Sequence, residues 1–173
     1  PSYRNRIMRI YLIGFMTAGK TTLGRAFTEQ SGWTFVDIDE ALIAREGKSI
    51  AEIFAEDGEE HFRLVEREAL EATASQYREK VVFATGGGLP CFYDNIERIN
   101  QVGTSVYLQL PAEELLRRIR KDRADRPLVR DKTAEELESF VRNLLAKRQA
   151  FYQQAHHTLT QSQQTKEALE ALF

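Results

Sequence analysis

Short apolar stretches alternate with longer amphipathic stretches along the whole chain. Stretches rich in β-branched and aromatic residues are typical of buried strands, and apolar residues recurring with helical periodicity indicate helices. Strands are predicted at residues 7–15, 34–38, 80–85, 104–110 and 157–161. Helices are predicted at residues 21–31, 41–45, 49–55, 61–77, 112–119, 133–152 and 166–173.

Local signals mark several of these boundaries. Gly32 stands where a helix should end, Gly58 interrupts a helical region, and Thr133 with Glu136 forms a capping box. Alternation of strands and helices predicts βαβ units, which build a parallel sheet with helices on both faces. No linker or internal repeat divides the sequence, so residues 1–173 are expected to form a single domain.

The composition is that of a globular protein, and it argues against two classes of partner. Hydrophobic residues make up 42% of the 173 residues, and 24 Lys and Arg nearly balance 26 Asp and Glu, for a net charge of −2. A dedicated nucleic-acid-binding protein would carry a broad basic excess. The apolar runs are also far shorter than the roughly 20 residues that span a bilayer. We expect neither nucleic acid nor a membrane as a partner.

The cysteine content and the first residues bear on the compartment. The sole cysteine, Cys91, cannot form an internal disulfide, which fits a reducing environment. The sequence opens without a charged-then-apolar leader, so we expect a cytoplasmic protein. Its near-neutral charge leads us to expect a monomer.

Residues 117–132 differ from the rest of the sequence in composition. They contain eight basic and three acidic side chains. Pro127 prevents a continuous helix here and pushes Arg126 toward an extended conformation. We therefore expect an exposed, mobile, basic flap between two helices.

The segment from Gly14 to Thr21 (GFMTAGKT) fits the phosphate-binding pattern G-x-x-x-x-G-K-[ST] between a predicted strand and a predicted helix. Its glycines let backbone N–H groups point at phosphate oxygens, and the following helix contributes its positive end. Lys20 would contact the β- and γ-phosphates, and the Thr21 hydroxyl would bind Mg²⁺. The motif predicts a site for a nucleoside triphosphate; the alternative is a glycine-rich turn that only connects the two elements.

Two carboxylates, Asp37 and Asp39, come at the end of the second predicted strand. Alternation in an extended segment would place both on one side, at the sheet edge where ligands of α/β proteins bind. One could bind the metal through water while the other faces a substrate hydroxyl. Alternatively, Asp39 caps the next helix and Asp37 forms a salt bridge.

Three consecutive glycines, Gly86 to Gly88, follow the third predicted strand and would permit close approach of a small ligand to the backbone. Arg63, Arg126 and Arg148, considered one at a time, are expected to be surface charges, with Arg63 as a helical partner of Glu59 or Glu66. Cys91 is expected to be a small packed residue. The three histidines, His61, His156 and His157, lack metal-ligand spacing.

Taken together and in order, these motifs resemble those of the shikimate kinase family over essentially the whole length. The matching residues are Gly14–Thr21 with Gly24, Asp37 with Asp39, Glu60, Phe62, Arg63 and Glu66, Thr85–Gly88, Arg126-Pro127-Leu128, and Arg148 ahead of Tyr152. The phosphate-binding loop alone is widely shared, whereas the ordered set is specific.

The resemblance implies ATP- and Mg²⁺-dependent phosphorylation of the 3-hydroxyl of shikimate. It also implies a three-layer α/β/α fold of the nucleoside-monophosphate-kinase type, with five parallel strands. A substrate-binding region would lie at about residues 37–65 and a lid at about residues 117–132.

The resemblance also assigns roles to individual residues. Asp39 would touch the reacting hydroxyl, Asp37 would support Mg²⁺ through water, and Lys20, Asp39 and Arg126 would be catalytic. Arg63 and Arg148 would bind the shikimate carboxylate, with the glycines near the ring. The residues expected to bind ATP are Gly14, Thr17, Ala18, Gly19, Lys20, Thr21, Thr22 and Arg126. Those expected to bind shikimate are Asp39, Arg63, Gly86, Gly87, Gly88 and Arg148.

Two departures from the family pattern concern the nucleotide site. Thr17 stands where the family often has Gly or Ser. Residues 158–165 lack the Asp and Pro often found around the adenine-binding loop, so residues 161–165 are only a candidate location. The lid is also short, which leaves Arg118 or Arg120 as candidates for stacking on adenine. Two other functions stay open: a gluconate kinase, and a regulatory module that binds nucleotide without turnover.

Overall fold

A five-stranded parallel sheet forms the centre of the fold. The computed structural model describes residues 8–122, 126 and 128–173. The strands are β1 (Arg9–Ile13), β2 (Thr34–Asp37), β3 (Val81–Ala84), β4 (Thr104–Leu108) and β5 (His157–Leu159). The helices are α1 (Lys20–Ser31), α2 (Ile38–Glu46), α3 (Ile50–Gln76), α4 (Asn95–Val102), α5 (Ala112–Lys121), α6 (Ala134–Tyr152) and α7 (Lys166–Glu170).

The strand order, β2-β3-β1-β4-β5, places β1 at the centre of the sheet. Leu12 of β1 pairs with Ala84 of β3 on one side and with Val106 of β4 on the other, and every pairing is parallel. The carboxyl ends of β1, β2 and β3 therefore meet at one edge. The loops after these strands carry the phosphate-binding motif, the two aspartates and the three glycines. The predicted three-layer fold with five parallel strands is confirmed.

The core follows the predicted apolar pattern. Residues 10–13 of β1 are completely buried, and the Tyr11 ring stacks on Phe83 of β3 with 4.7 Å between centroids. Gly24 lets α1 pack closely on β2, because a Cβ at this position would collide with the Phe35 ring. The glycine thus sets the distance between the sheet and the helix that begins at the phosphate-binding loop.

The largest difference from the predicted elements lies between residues 86 and 103. A 3₁₀ turn (Leu89–Cys91) and α4 occupy this segment, for which no helix was predicted. α4 has only eight residues, so its apolar periodicity is short, although Ile96 and Ile99 are buried at helical spacing.

Other differences concern element ends. Ile38 begins α2 and does not end β2, while the helices predicted at 49–55 and 61–77 form one element, α3, interrupted at Gly58 (φ 83°, ψ 172°). The capping box of Thr133 and Glu136 is present. The strands predicted to reach residues 110 and 161, and the helix predicted to reach 173, end earlier.

Three predictions fall wholly or partly outside the described residues. They are the strand start at residue 7, the helix-breaking role of Pro127, and the expected basic flap at its residues 123–125. Across the described ranges, no helix is both long enough and apolar enough to cross a bilayer.

Candidate active site

The phosphate-binding loop has the backbone geometry that its glycines permit. Gly14 has φ 149° and Gly19 has φ 96°, and a Cβ at Gly14 would lie 2.9 Å from the carbonyl oxygen of Leu108. Thr17 also adopts a left-handed conformation, with φ 64°. This left-handed conformation explains why glycine suits the Thr17 position. Helix α1 begins directly after the loop, so the free backbone N–H groups of its first turn lie beside the loop.

Lys20 is buried inside this loop. Its Nζ donates hydrogen bonds to the carbonyl oxygens of Gly14 (2.7 Å) and Phe15 (2.8 Å). Burial lowers the pKa of Lys20 to about 8, and the nearby charge of Asp39 opposes part of that shift. The ammonium group is therefore held at the centre of the loop, with Asp39 as an electrostatic partner.

Asp37 connects the loop to the start of α2. Its Oδ1 accepts hydrogen bonds from the backbone N–H groups of Asp39 (2.9 Å) and Glu40 (3.2 Å), and its Oδ2 accepts one from the Thr21 hydroxyl (3.1 Å). The alternative in which Asp39 caps the helix is therefore wrong, since Asp37 is the cap. The prediction that strand alternation places both carboxylates on one side is also wrong in its reasoning. The strand β2 ends at Asp37, and Asp39 belongs to α2.

The pairing of Thr21 with Asp37 fits a magnesium site. Hydroxyl and carboxylate oxygens are hard donors, which Mg²⁺ prefers, and Mg²⁺ commonly uses one or two carboxylates together with waters and phosphates. Among the described residues, no group of three or more His, Cys, Asp and Glu side chains could hold a metal by itself. A site completed by water and nucleotide agrees with both observations.

Asp39 is half-buried beside the first of the three glycines. A Cβ at Gly86 would lie 2.9 Å from Oδ1 of Asp39 and 3.2 Å from Oε2 of Glu66, so only glycine lets both carboxylates approach here. Burial raises the pKa of Asp39 to about 6, Asp37 adds to the increase, and Lys20 opposes it. Its Oδ1 has no hydrogen-bond partner in the described part of the chain. Asp39 is thus placed to exchange a proton near neutral pH.

Arg63 is 8% exposed, so the expectation of a surface charge is wrong for this residue. Its Nη1 donates to Oε1 of Glu66 at 2.9 Å, and Nη2 lies 3.5 Å from Oε1 of Glu59. Glu66 is 1% exposed, and burial raises its pKa to about 7 despite the adjacent guanidinium. Glu66 was expected as a possible partner of Arg63 and belongs to the matching motif, but it was not predicted as a site residue.

Arg148 and Tyr152 bring α6 against the second glycine. A Cβ at Gly87 would lie 3.1 Å from Nη1 of Arg148, whose guanidinium carbon is 5.8 Å from the centroid of the Phe15 ring. The buried Tyr152 hydroxyl donates to the carbonyl oxygen of Gly87 at 2.6 Å. Arg148 thereby joins Arg63 at the glycine segment. Tyr152 belongs to the matching motif, but it was not predicted as a site residue.

A cavity of about 610 Å³ connects the loop, the carboxylates and the basic segment. The predicted residues that line it are Thr17, Gly19, Lys20, Thr21, Thr22, Asp37, Asp39, Gly86, Gly87 and Arg126. Arg117, Arg118 and Lys121 of α5 line it as well, and Nη1 of Arg118 donates to the carbonyl oxygen of Thr17 at 3.1 Å.

Some predicted site residues are not among the described residues that line this cavity. Arg63 lies against Gly88, and Arg148 lies against Gly87, which does line the cavity. Arg120, a candidate for stacking on adenine, is exposed and outside the described lining.

A second cavity, of about 600 Å³, lies beside the segment considered for adenine. Its lining includes Leu110, Pro111, Gln161 and Ser162. The Gln164 amide donates to the carbonyl oxygens of Gln109 and Leu159, each at 3.2 Å, and so fixes the segment after β5. Gln161 belongs to the candidate segment 161–165.

Comparisons with known proteins agree with this arrangement. The family model "Shikimate kinase" matches residues 16–173. The chain belongs to the shikimate kinase family. A shikimate kinase of Parabacteroides distasonis is 43% identical over 150 residues, which cover 87% of this chain and 86% of that protein.

Solved structures of shikimate kinases share the fold. The crystal structure of the Bacteroides thetaiotaomicron enzyme is similar with a TM-score of 0.88 and 39% identity, covering 95% of this chain and 96% of that one. The Acinetobacter baumannii shikimate kinase in complex with shikimate has a TM-score of 0.83 and 37% identity, covering 96% and 91%. Membership of the shikimate kinase family confirms the resemblance inferred from the motifs and disfavours the gluconate kinase alternative.

Proposed function

We propose that this protein transfers the γ-phosphoryl group of ATP to the 3-hydroxyl of shikimate. The observation that carries the proposal is the placement of two guanidinium groups, Arg63 and Arg148, against adjacent glycines beside the Asp39 carboxylate. Two arginines that do not belong to the phosphate-binding loop indicate an anionic second substrate, and a wall without side chains indicates a compact one. The Acinetobacter baumannii relative was solved with shikimate bound, which supports this choice of substrate.

The substrate carboxylate would bind to the guanidinium groups of Arg63 and Arg148. A planar guanidinium meets a carboxylate with two parallel hydrogen bonds, and burial strengthens that contact. The substrate ring would contact the backbone of Gly86, Gly87 and Gly88. Side chains at these three positions would collide with Asp39, Arg148 and Arg63, so this wall of the site has no side chains.

Asp39 would accept the proton of the 3-hydroxyl as its oxygen attacks the γ-phosphorus. The new oxygen–phosphorus bond forms while the bond to the ADP oxygen breaks, and the proton passes to the carboxylate. A pKa of about 6 suits this role, because the group is ionised above that pH and is a stronger base than an ordinary aspartate. Lys20 and Arg126 would stabilise the charge on the transferred group.

Thr21 would bind Mg²⁺ directly, and Asp37 would support it through water. When bound, Mg²⁺ neutralises charge on the β- and γ-phosphates. Gly14, Thr17, Ala18, Gly19 and Thr22 complete the proposed ATP site with the loop backbone.

The single domain would contain a substrate-binding region at residues 37–65 and a lid at residues 117–132. Arg117, Arg118, Lys121 and Arg126, which line the main cavity, support the lid assignment. The cavity beside Gln161 is the proposed adenine site, with Arg118 contacting the nucleotide from the other side. Slower hydrogen exchange across residues 117–132 with ADP and shikimate bound would support a closing lid, and equal exchange would contradict it.

The function is tested by shikimate-dependent release of ADP from the purified protein. We expect rapid ADP release with shikimate, none above background with gluconate, and a product phosphorylated at the 3-oxygen by ³¹P–¹H NMR. Gluconate-dependent release would identify a different kinase. Nucleotide binding without shikimate-dependent turnover would identify a regulatory module.

A further inference from the structure

The Phe92 ring lies over the guanidinium group of Arg63. The Arg63 Cζ is 4.0 Å from the centroid of this ring, well inside the range of a cation–π contact. Phe92 follows the 3₁₀ turn after the three glycines and is half-buried. In the described part of the chain, it is not among the apolar side chains that pack against the hydrophobic core. Core packing therefore does not account for this aromatic residue.

The other contacts of Arg63 fix its guanidinium closely. A Cβ at Gly88 would lie 2.6 Å from Nη1 and 2.8 Å from Nη2, so the group packs directly on the glycine backbone. Glu66 accepts a hydrogen bond from Nη1, whereas Nε has no partner among the described residues. An aromatic face attracts the cation without using an N–H donor. Phe92 can thus orient the group while leaving donors for a ligand.

The segment that carries Phe92 is attached to the helix that carries Arg63. The completely buried Asn95 donates from Nδ2 to the carbonyl oxygen of Leu89 at 2.8 Å, which closes the turn around Phe92. Arg67, one helical turn after Arg63 on α3, donates to Oδ1 of Asn95 at 2.6 Å and pairs with Asp94 at 2.7 Å. The segment that carries the ring is therefore hydrogen-bonded to the helix that carries the guanidinium.

We propose that Phe92 is a positioning residue, which holds the Arg63 guanidinium in the orientation that binds the substrate carboxylate. The inference rests on the proposed function, in which Arg63 binds that carboxylate. Without the Phe92 ring, Arg63 keeps its charge, its pairing with Glu66 and the more distant Phe62 ring, whose centroid is 5.0 Å from Cζ. It nevertheless samples more orientations. Affinity for shikimate should fall, while the ATP site, built from other residues, should be unaffected.

The test compares Phe92→Leu with Phe92→Tyr, which keeps an aromatic ring. Tyr93→Leu is the matched control, because Tyr93 is the neighbouring aromatic residue and is 58% exposed. We expect Phe92→Leu to raise the KM for shikimate about three- to tenfold, with kcat and the KM for ATP close to wild type. Phe92→Tyr and Tyr93→Leu should stay within about twofold of wild type. If Phe92→Leu does not fold, Phe92→Met replaces it.

A second comparison separates this inference from the proposed function. In an Arg63→Ala background, adding Phe92→Leu should not weaken shikimate binding further, as measured by isothermal titration calorimetry. An unchanged KM for shikimate in Phe92→Leu, or an equal loss of affinity with and without Arg63, would overturn the positioning role. If Arg63→Ala alone leaves shikimate affinity unchanged, the carboxylate site itself is wrong, whatever Phe92 does.

Discussion

The Tyr152 hydroxyl donates a 2.6 Å hydrogen bond to the carbonyl oxygen of Gly87. Arg148 lies four residues earlier on α6 and approaches the same glycine, so one face of this helix contacts the glycine segment through two side chains. Tyr152 is completely buried and packs at a tilt on Tyr107, with 5.1 Å between ring centroids. The position of α6 thereby fixes both the glycine segment and the arginine that lies against it.

Removing this single hydroxyl should affect substrate binding. We expect Tyr152→Phe to raise the KM for shikimate severalfold and to lower the free energy of unfolding by about 1 kcal/mol, a typical value for one hydrogen bond. The KM for ATP should not change. Tyr77→Phe, the same deletion at the end of α3, is the control. If both variants have the KM of wild type for shikimate, the hydrogen bond stabilises the fold only.

The buried Glu66 should make stability depend on pH. Its pKa of about 7 exceeds the ordinary value of 4.5, so the folded state binds this proton more tightly than the unfolded state. Stability is therefore lost as the pH rises from about 4.5 through 7, at about 1.4 kcal/mol per unit of pKa difference.

Glu66→Gln has no titratable carboxyl group at this position. The free energy of unfolding of Glu66→Gln should therefore increase relative to that of wild type as the pH rises from about 4.5 through 7. Urea unfolding at pH 5 and pH 8 measures the difference, and Glu68→Gln on the same helix is the exposed control. A difference between Glu66→Gln and wild type that does not vary with pH would mean that Glu66 is ionised throughout.

Local patterns were sufficient to predict the strands, the phosphate-binding loop and the sheet edge at which Asp37 and Asp39 lie, although not the helix start between these two aspartates. They depend on residues adjacent in sequence. The burial of Arg63 and Glu66 could not be predicted in the same way, because a helix rich in acidic residues looks solvent-exposed until its tertiary contacts are known. The contact of Phe92 with Arg63 spans two elements and has no local sequence signal.

Lys20→Met should abolish turnover while leaving the protein folded. Phosphoryl transfer depends on alignment and charge stabilisation, and this substitution removes the buried ammonium group at the centre of the loop. We expect kcat below about a tenth of the wild-type value, a loss above ~1.4 kcal/mol in transition-state stabilisation. Circular dichroism should match wild type. Retention of a larger kcat would show that Lys20 does not contact the transferred phosphate.

The two aspartates should be separable by their dependence on metal and on pH. Asp37→Asn should raise the Mg²⁺ concentration needed for half-maximal rate, because it weakens the proposed support of the metal through water. Asp39→Asn should lower kcat and remove the fall in kcat/KM that we expect in wild type below about pH 6. Normal turnover by Asp39→Asn would exclude it as the proton acceptor.

The central claim is that Arg63 and Arg148 select a small hydroxy acid by its carboxylate. It is tested most directly by measuring kcat/KM for shikimate and for its methyl ester with wild type and Arg63→Ala. Wild type should discriminate strongly against the ester, and Arg63→Ala should discriminate much less, because the group that recognises the negative charge is gone. Arg63→Lys should still lose on the order of 1–3 kcal/mol with shikimate, since an ammonium cannot make the paired hydrogen bonds. Equal discrimination by wild type and Arg63→Ala would contradict the account.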